Sequence, residues 1–401
     1  MVTDDVFSQM AVHKTVADRL RIAAHAARQG DTGSAMTHAW LFTGPPGSGR
    51  SVAAVAFAAA LECEDPDIIG CGHCRQCEAV RQGSHGDVVH EVPRGLSISV
   101  DTVRTRIIEP AVMRPAVGRW RVVILDNADR LTDSAANALL KTVEEPPAHT
   151  VIMLCTPSTD PSDIMPTLYS RSRHLYVPQP STAEVTAILM RDPAVSEQAA
   201  ALAAAATGQH IGRARRLVHD SAAQQRRVNV LHLAEDIEHG STAFFAVSRI
   251  YKEIVSAAEA DLNTENEHEQ EQLRTALGMG AKGKGAQRAL RGANAELKQL
   301  ENEQKRRKQR AIRDAIDLAL VDLAGFYRDA LLQAGGDEAQ VALTHPDMQP
   351  HTADLAKRLS LSALVGCLDA IMHTRQALDL NVSPETALDG MIGRLRLAYS
   401  R

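Results

Sequence analysis

The run Gly44-Pro45-Pro46-Gly47-Ser48-Gly49-Arg50-Ser51 has the spacing of a loop that cradles phosphate. Such a loop follows a strand and opens a helix, so that backbone N–H groups and the positive end of the helix dipole face the anion. His38–Thr43 (HAWLFT) reads as that strand and Ser51–Leu61 (SVAAVAFAAAL) as that helix. Gly44, Gly47, Gly49, Arg50 and Ser51 are therefore the candidate nucleotide-phosphate ligands. One position departs from the pattern. Arg50 stands where a lysine normally serves as a compact point charge, and a planar guanidinium does not fit the same channel unless the loop moves. Either the site holds nucleotide with Arg50 as a looser clamp, or the loop persists for its fold after phosphate binding lapsed.

A second departure lies in Asp126-Asn127-Ala128-Asp129, which follows the apolar stretch Val122–Leu125. Nucleotide hydrolases of this kind carry a magnesium-linked aspartate there, followed by a glutamate that orients and deprotonates the attacking water. Asp126 can serve the metal. Asn127 replaces the glutamate, and an amide accepts no proton. With both positions altered, the expectation is a site that does not turn over ATP-Mg, whether or not it still binds them.

Cys63, Cys71, Cys74 and Cys77 form the pattern C-x7-C-x2-C-x2-C, with Pro66, Gly70 and Gly72 supplying turns between them. A C-x2-C pair sets two sulfurs on one tight turn, and four thiolates complete a tetrahedral zinc shell with no open catalytic position. A structural zinc site is the expectation; the alternative is four unliganded thiols. His73, His85 and His90 are near enough in sequence to replace one cysteine. Cys155 and Cys367 sit in apolar runs and read as core.

These residues need elements to hold them. Through residue 178, short apolar segments alternate with helical ones: after the first strand and helix come a strand at Asp87–Val92, a helix opening within Ile98–Glu109, a strand at Arg121–Asp126, a helix at Asp133–Glu145 and a strand at Thr150–Cys155. That alternation predicts an α/β domain with a parallel sheet covered on both faces. The prolines of Tyr176–Pro180 (YVPQP) mark a boundary. Short Ala-rich helices follow, Thr182–Met190, Ser196–Thr207 and Ile211–Ser221, as a small helical domain of residues 179–221. Residues 222–401 read as long helices without a strand, interrupted at Gly278–Gly285 (GMGAKGKG). Across the whole chain, scarce aromatics, at 3%, and abundant Ala and Leu favour helix over sheet.

The net charge of −5 excludes a protein that coats nucleic acid by bulk electrostatics. A local patch remains open: residues 282–310 hold ten Lys and Arg against three Glu, either a DNA-facing surface or a solvated helix face. The N-terminus has no signal-peptide core, and no apolar run is long enough to span a membrane. A cytoplasmic protein with reduced cysteines is expected.

Several stretches resemble the clamp-loader family of AAA+ proteins, which includes the delta-prime and motor subunits of the bacterial DNA polymerase III clamp loader and is related to eukaryotic replication factor C. The most specific is DNADRLTDSAANALLKTVEEPP, Asp126–Pro147; His38-Ala39-Trp40-Leu41-Phe42 and the four-cysteine insertion match as well. LYSRS, Leu168–Ser172, is similar to the family's Ser-Arg-Cys motif, with Ser172 in place of the cysteine. The C-terminal NVSPETALDGMIGRLRLAY resembles the family's collar more loosely.

The resemblance implies an AAA+-type domain (1–178) with the zinc insertion (63–77), a helical lid (179–221) and an all-helical collar (222–401). It implies a five-subunit arc that sets a sliding clamp on primed DNA, with the motor subunit and delta as partners and no membrane. By position, Arg171 corresponds to an arginine that reaches into the neighbouring subunit's ATP site; the plainer role is pairing with a carboxylate. The family's sensor arginine in the lid falls at Ile211, with Arg213 serving only in a shifted register. The expected function is a non-hydrolysing, stator-like loader subunit. An active ATPase of the same loader and a zinc-stabilised nucleic-acid-binding scaffold are the alternatives.

Overall fold

The computed structural model describes residues 5–30, 35–93, 95–237, 242–277, 286–336, 341–380 and 382–400, and of 286–295 and 379 the backbone alone. The expected break at 278–285 lies outside these residues. The chain forms two compact units, Met1–Ile188 with Gln209–Gly212, and Leu189–Gly208 with Arg213–Arg401.

The first unit is built on an all-parallel sheet of five strands, β1 (Ala39–Thr43), β2 (Val88–Glu91), β3 (Arg121–Leu125), β4 (Thr150–Thr156) and β5 (Arg173–Tyr176), in the order β2-β3-β4-β1-β5. Trp40 pairs with Met153 and Leu125 with Leu154 in register. Strands β1, β3 and β4 are buried along their whole length, because helices cover both faces and leave no polar side to alternate with. Side chains still alternate between two cores. Phe42, Ile124 and Met153 pack with Phe57 of the Arg50–Glu62 helix. Leu41, Leu125 and Leu154 pack on the other face with Leu139 and Val143 of the Asp133–Glu144 helix.

The four expected strands are all present, and β5 is an addition. Its Arg173, His174 and Tyr176 leave only Leu175 buried, so it carries no apolar run to read. Pairing with the edge of β1 makes it a strand: Val177 N–H donates to Thr43 O at 2.7 Å. The helix expected within Ile98–Glu109 is also modified. Ile98 forms a bridge to Leu131, and the helix from Val100 widens to a π-turn over Arg104–Ile108. The widening precedes Pro110, whose ring cannot sit against the carbonyl four residues back in α geometry.

The second unit is helical throughout its described residues. The expected Ile211–Ser221 helix ends at His219, and Asp220 caps a new one, Ser221–Asp236, by accepting from Ala223 N–H. Long helices Thr242–Ala276, Ala286–Ala334, Leu361–Asp379 and Pro384–Tyr399 close a core around Ile250, Leu323, Phe326, Tyr327, Ile371 and Leu395. Beyond that core, Arg307 meets Glu265 and Glu269 at 3.0 and 2.6 Å, Lys308 meets Glu259, and Arg310 meets Asp314 at 3.4 Å. No helix among the described residues is long and apolar enough to cross a membrane.

Inside this unit Arg227 grips Asp347 with two bonds of 2.7 and 2.8 Å and reaches His345 Nδ1 at 2.9 Å. Burial pushes the Asp322 carboxyl up to about 7, against the pull of Arg227 and Arg213. The folded state thus keeps a proton that the unfolded chain releases near 3.8. This contribution is fully present below that pH, is lost as pH rises to about 7 and is level above. Asp322→Asn should remove the loss, at most about 4 kcal/mol, and flatten the slope. Denaturant unfolding of both proteins at mildly acidic and mildly alkaline pH measures it; equal slopes contradict the burial of an ionisable Asp322.

Candidate nucleotide cleft, arginine edge and four-cysteine centre

The phosphate loop leaves the C-terminal end of β1 and enters the Arg50–Glu62 helix, with Gly49 as its cap. At Gly44 (φ +154°) an added Cβ would lie 2.1 Å from Val177 O, and at Gly47 (φ +88°) 2.7 Å from the His210 ring. Only glycine satisfies both the backbone and the space. His210 therefore lies against the phosphate loop itself. It follows Gln209, held at φ +59°, and precedes the Ile211–His219 helix. Ile211 heads that helix, while Arg213 belongs to the second unit.

Asp126 follows β3 beside the loop and is nearly buried. Its Oδ1 accepts a hydrogen bond from Ser51 Oγ and its Oδ2 lies 2.8 Å from His90 Nε2. Burial disfavours the charge, but the bonds from His90 and Ser51 outweigh it and hold the carboxyl below its ordinary range. His90 thus serves Asp126 and not the cysteines. Asn127 adopts left-handed backbone, φ 49° and ψ 51°, a conformation that asparagine tolerates better than most residues. Arg50 Nη1 is buried without a hydrogen-bond partner, as are Asp129 Oδ1 and Ser48 Oγ. Burial pushes the Arg50 guanidinium down and the Asp129 carboxyl up.

Arg171 lies past the short Pro166–Tyr169 helix at the surface. Its Nε pairs with Glu144 Oε1 at 2.5 Å and its Nη1 donates to Thr167 O at 3.1 Å. With Glu144, Glu145, Val143 and His38 it lines a shallow open cleft. The Arg171 side chain is 39% exposed and Glu144 42%, so this pair contributes about 0–1 kcal/mol. Ser172 Oγ is turned away to Leu168 O at 2.9 Å.

The cysteines converge. One sulfur from each of Cys63, Cys71, Cys74 and Cys77 lies within 4.8 Å of the others, and Cys63 and Cys74 are 4.0 Å apart. Metal–sulfur bonds of about 2.3 Å give tetrahedral edges of about 3.8 Å, so a small contraction would seat a metal ion. Backbone N–H groups point at the sulfurs: Cys71 N to Cys63 at 3.4 Å, Cys74 N to Cys71 at 3.3 Å, and Cys77 N to Cys74 at 3.5 Å. A hydrogen bond with Cys77 holds Cys63 down to about 4, and the same bond together with burial pushes Cys77 up. The centre can bind a metal ion through thiolates alone. His85 is buried elsewhere, with Nδ1 accepting from Asp87 N–H, and His73 faces Asp65. Cys155 and Cys367 are fully buried among apolar residues, as expected.

The roles of His90 and His210 were not legible from sequence. His90 lies on β2, 36 residues before Asp126, and nothing in the spacing connects them. His210 adjoins the expected sensor position, which was the only pointer to it.

Residues 24–181 match the family model described as DNA polymerase III, delta subunit. Subunit delta' of DNA polymerase III from Escherichia coli (strain K12) is 37% identical over 165 residues, covering 40% of this chain and 48% of that protein. The Pseudomonas aeruginosa delta' subunit is 38% identical over 149 residues, 36% of this chain and 44% of that one. Subunit gamma/tau from Mycobacterium tuberculosis (strain ATCC 25618 / H37Rv) is 34% identical over 170 residues, 42% of this chain and 28% of that one. The chain spans less than half the length of each of these relatives. Through this N-terminal region, the chain is thus similar to the delta and delta' subunits of DNA polymerase III.

Proposed function

We propose that this chain is a non-hydrolysing, stator-like subunit of the DNA polymerase III clamp loader that supplies Arg171 to the ATP site of an adjoining subunit. The observation that carries this reading is the state of Asp126. Both its oxygens are engaged within the chain, by Ser51 and His90, and an amide follows it. A magnesium-bound nucleotide would have to break both bonds and would still find no carboxylate to take a proton from water. Arg50 is half-buried with its Nη1 enclosed and without a hydrogen-bond partner, and the His210 ring packs against Gly47 of the phosphate loop. Arg171, by contrast, is exposed and held by a weak surface pair that a neighbour's phosphates can outcompete.

Within the same reading, the four cysteines hold a structural zinc ion, which supplies no chemistry beyond fastening the insertion. The motor subunit and delta are the direct partners, and the sliding clamp and primed DNA are engaged through the complex. Residues 1–178 act as the phosphate-loop domain, 179–221 as a lid and 222–401 as a collar. Where its side chains are described, the basic run pairs with acids through Arg307, Lys308 and Arg310, which favours a structural helix pair over a DNA contact.

The test mixes the purified chain with motor and delta subunits and clamp, and measures DNA-dependent ATP turnover with and without it. Turnover and clamp loading should require the chain. Alone, it should hydrolyse ATP no faster than its Asp126→Ala variant, and Arg50→Lys should restore no turnover. A robust Asp126-dependent rate from the isolated chain would falsify the non-hydrolysing role.

A further inference from the structure

The helical unit holds a second group of metal-ligating side chains, unrelated to the cysteines. His232 and Glu235 are three residues apart on the Ser221–Asp236 helix, hence on one face. His351 arrives from 116 residues beyond Glu235, in the first turn of the Gln349–Arg358 helix. Both imidazoles turn Nδ1 to the same carboxylate: His232 lies 3.0 Å from Glu235 Oε2 and His351 lies 2.6 Å from Oε1. Their rings stand perpendicular with centroids 5.5 Å apart, so neither blocks the other. One ligand atom from each of the three lies within 4.8 Å of the others.

Metal bonds of about 2.0–2.1 Å to nitrogen and oxygen set neighbouring donors about 3 Å apart, close to the spacing already present. Two nitrogens and one carboxylate favour a borderline ion such as zinc over calcium or magnesium, which prefer all-oxygen shells. The side chains are 42–44% exposed, so an ion can enter from water and solvent can complete its shell. Without an ion, the cluster is two surface contacts of little energetic weight. We propose that His232, Glu235 and His351 form an open site for a borderline divalent transition-metal ion, which fastens the Ser221–Asp236 helix to the Gln349–Arg358 helix. An ion bound at Nδ1 would take each neutral imidazole in the tautomer that carries its proton on Nε2, so that Nδ1 and the Glu235 carboxylate face the metal instead of each other.

Untagged full-length chain titrated with Co(II) separates this site from the cysteine centre. Cobalt bound by thiolates gives a sulfur charge-transfer band, and cobalt bound by imidazole and carboxylate does not. The expected result is an additional equivalent that adds no thiolate band. Glu235→Gln and His351→Ala should each weaken that equivalent by more than about tenfold, the lower end for disturbing even an outer-shell group, and leave the thiolate band unchanged. Zinc should raise the melting temperature of the wild type beyond that of either variant. Glu235→Gln is nearly isosteric, and circular dichroism checks its fold if His351→Ala fails to fold. Absence of the additional equivalent, or its persistence at wild-type affinity in folded variants, overturns the site and leaves Glu235 as an ion-pair hub.

Discussion

Arg171→Ala should leave the chain folded and able to assemble, yet slow ATP hydrolysis at one interface of the reassembled loader by about 10³-fold or more. That is the scale on which an arginine supplied from outside a site stabilises charge on the transferred phosphoryl group. Truncation costs this chain little, because the Glu144 partner is exposed and the pair is weak. Other interfaces keep their own arginines, so total turnover should fall by one site's share, and clamp loading by more. Arg171→Lys should rescue poorly, since a point charge cannot replace a bidentate fork. Glu144→Gln separates the two roles of the side chain. It removes the internal pair and leaves the guanidinium, so it should retain loading. A Glu144→Gln complex as defective as Arg171→Ala would return Arg171 to the plainer role of partner to a carboxylate. An Arg171→Ala complex that loads clamps at the wild-type rate would exclude the finger role.

Cys74→Ser should abolish metal binding at the four-cysteine centre and lower stability by at least about 2 kcal/mol, or about 4–8 °C in melting temperature. The substitution is informative because Cys74 also caps the Arg75–Arg81 helix, accepting from Cys77 N–H. Serine is a good cap, so the helix start survives and the metal ligand alone is lost. Metal analysis of wild-type protein purified without chelators should find about one equivalent at this centre. A chelator should lower the wild-type melting temperature towards that of the variant and leave the variant unmoved, because binding energy at such a centre is folding energy. Under a tenth of an equivalent in the wild type, or a variant that melts with it, ends the structural-metal reading.

The sheet, the phosphate loop and the cysteine centre were legible in the sequence because each depends on local order. Buried parallel strands read as apolar runs, as Val122–Leu125 does. Gly44 and Gly47 mark backbone that admits no Cβ, and four cysteines within fifteen positions can meet through two turns. The strand β5 was not legible, since its polar residues become a strand only by pairing with β1. Nor was the engagement of Asp126 by His90, which requires β2 and β3 to lie side by side in register. His210 against Gly47 and His351 against Glu235 join residues far apart in the chain, and spacing cannot encode such meetings. Residue types and short intervals thus determined what chemistry is available. Long-range packing decided which of those groups are already engaged, because a side chain's partner is set by where the chain returns and not by what precedes it.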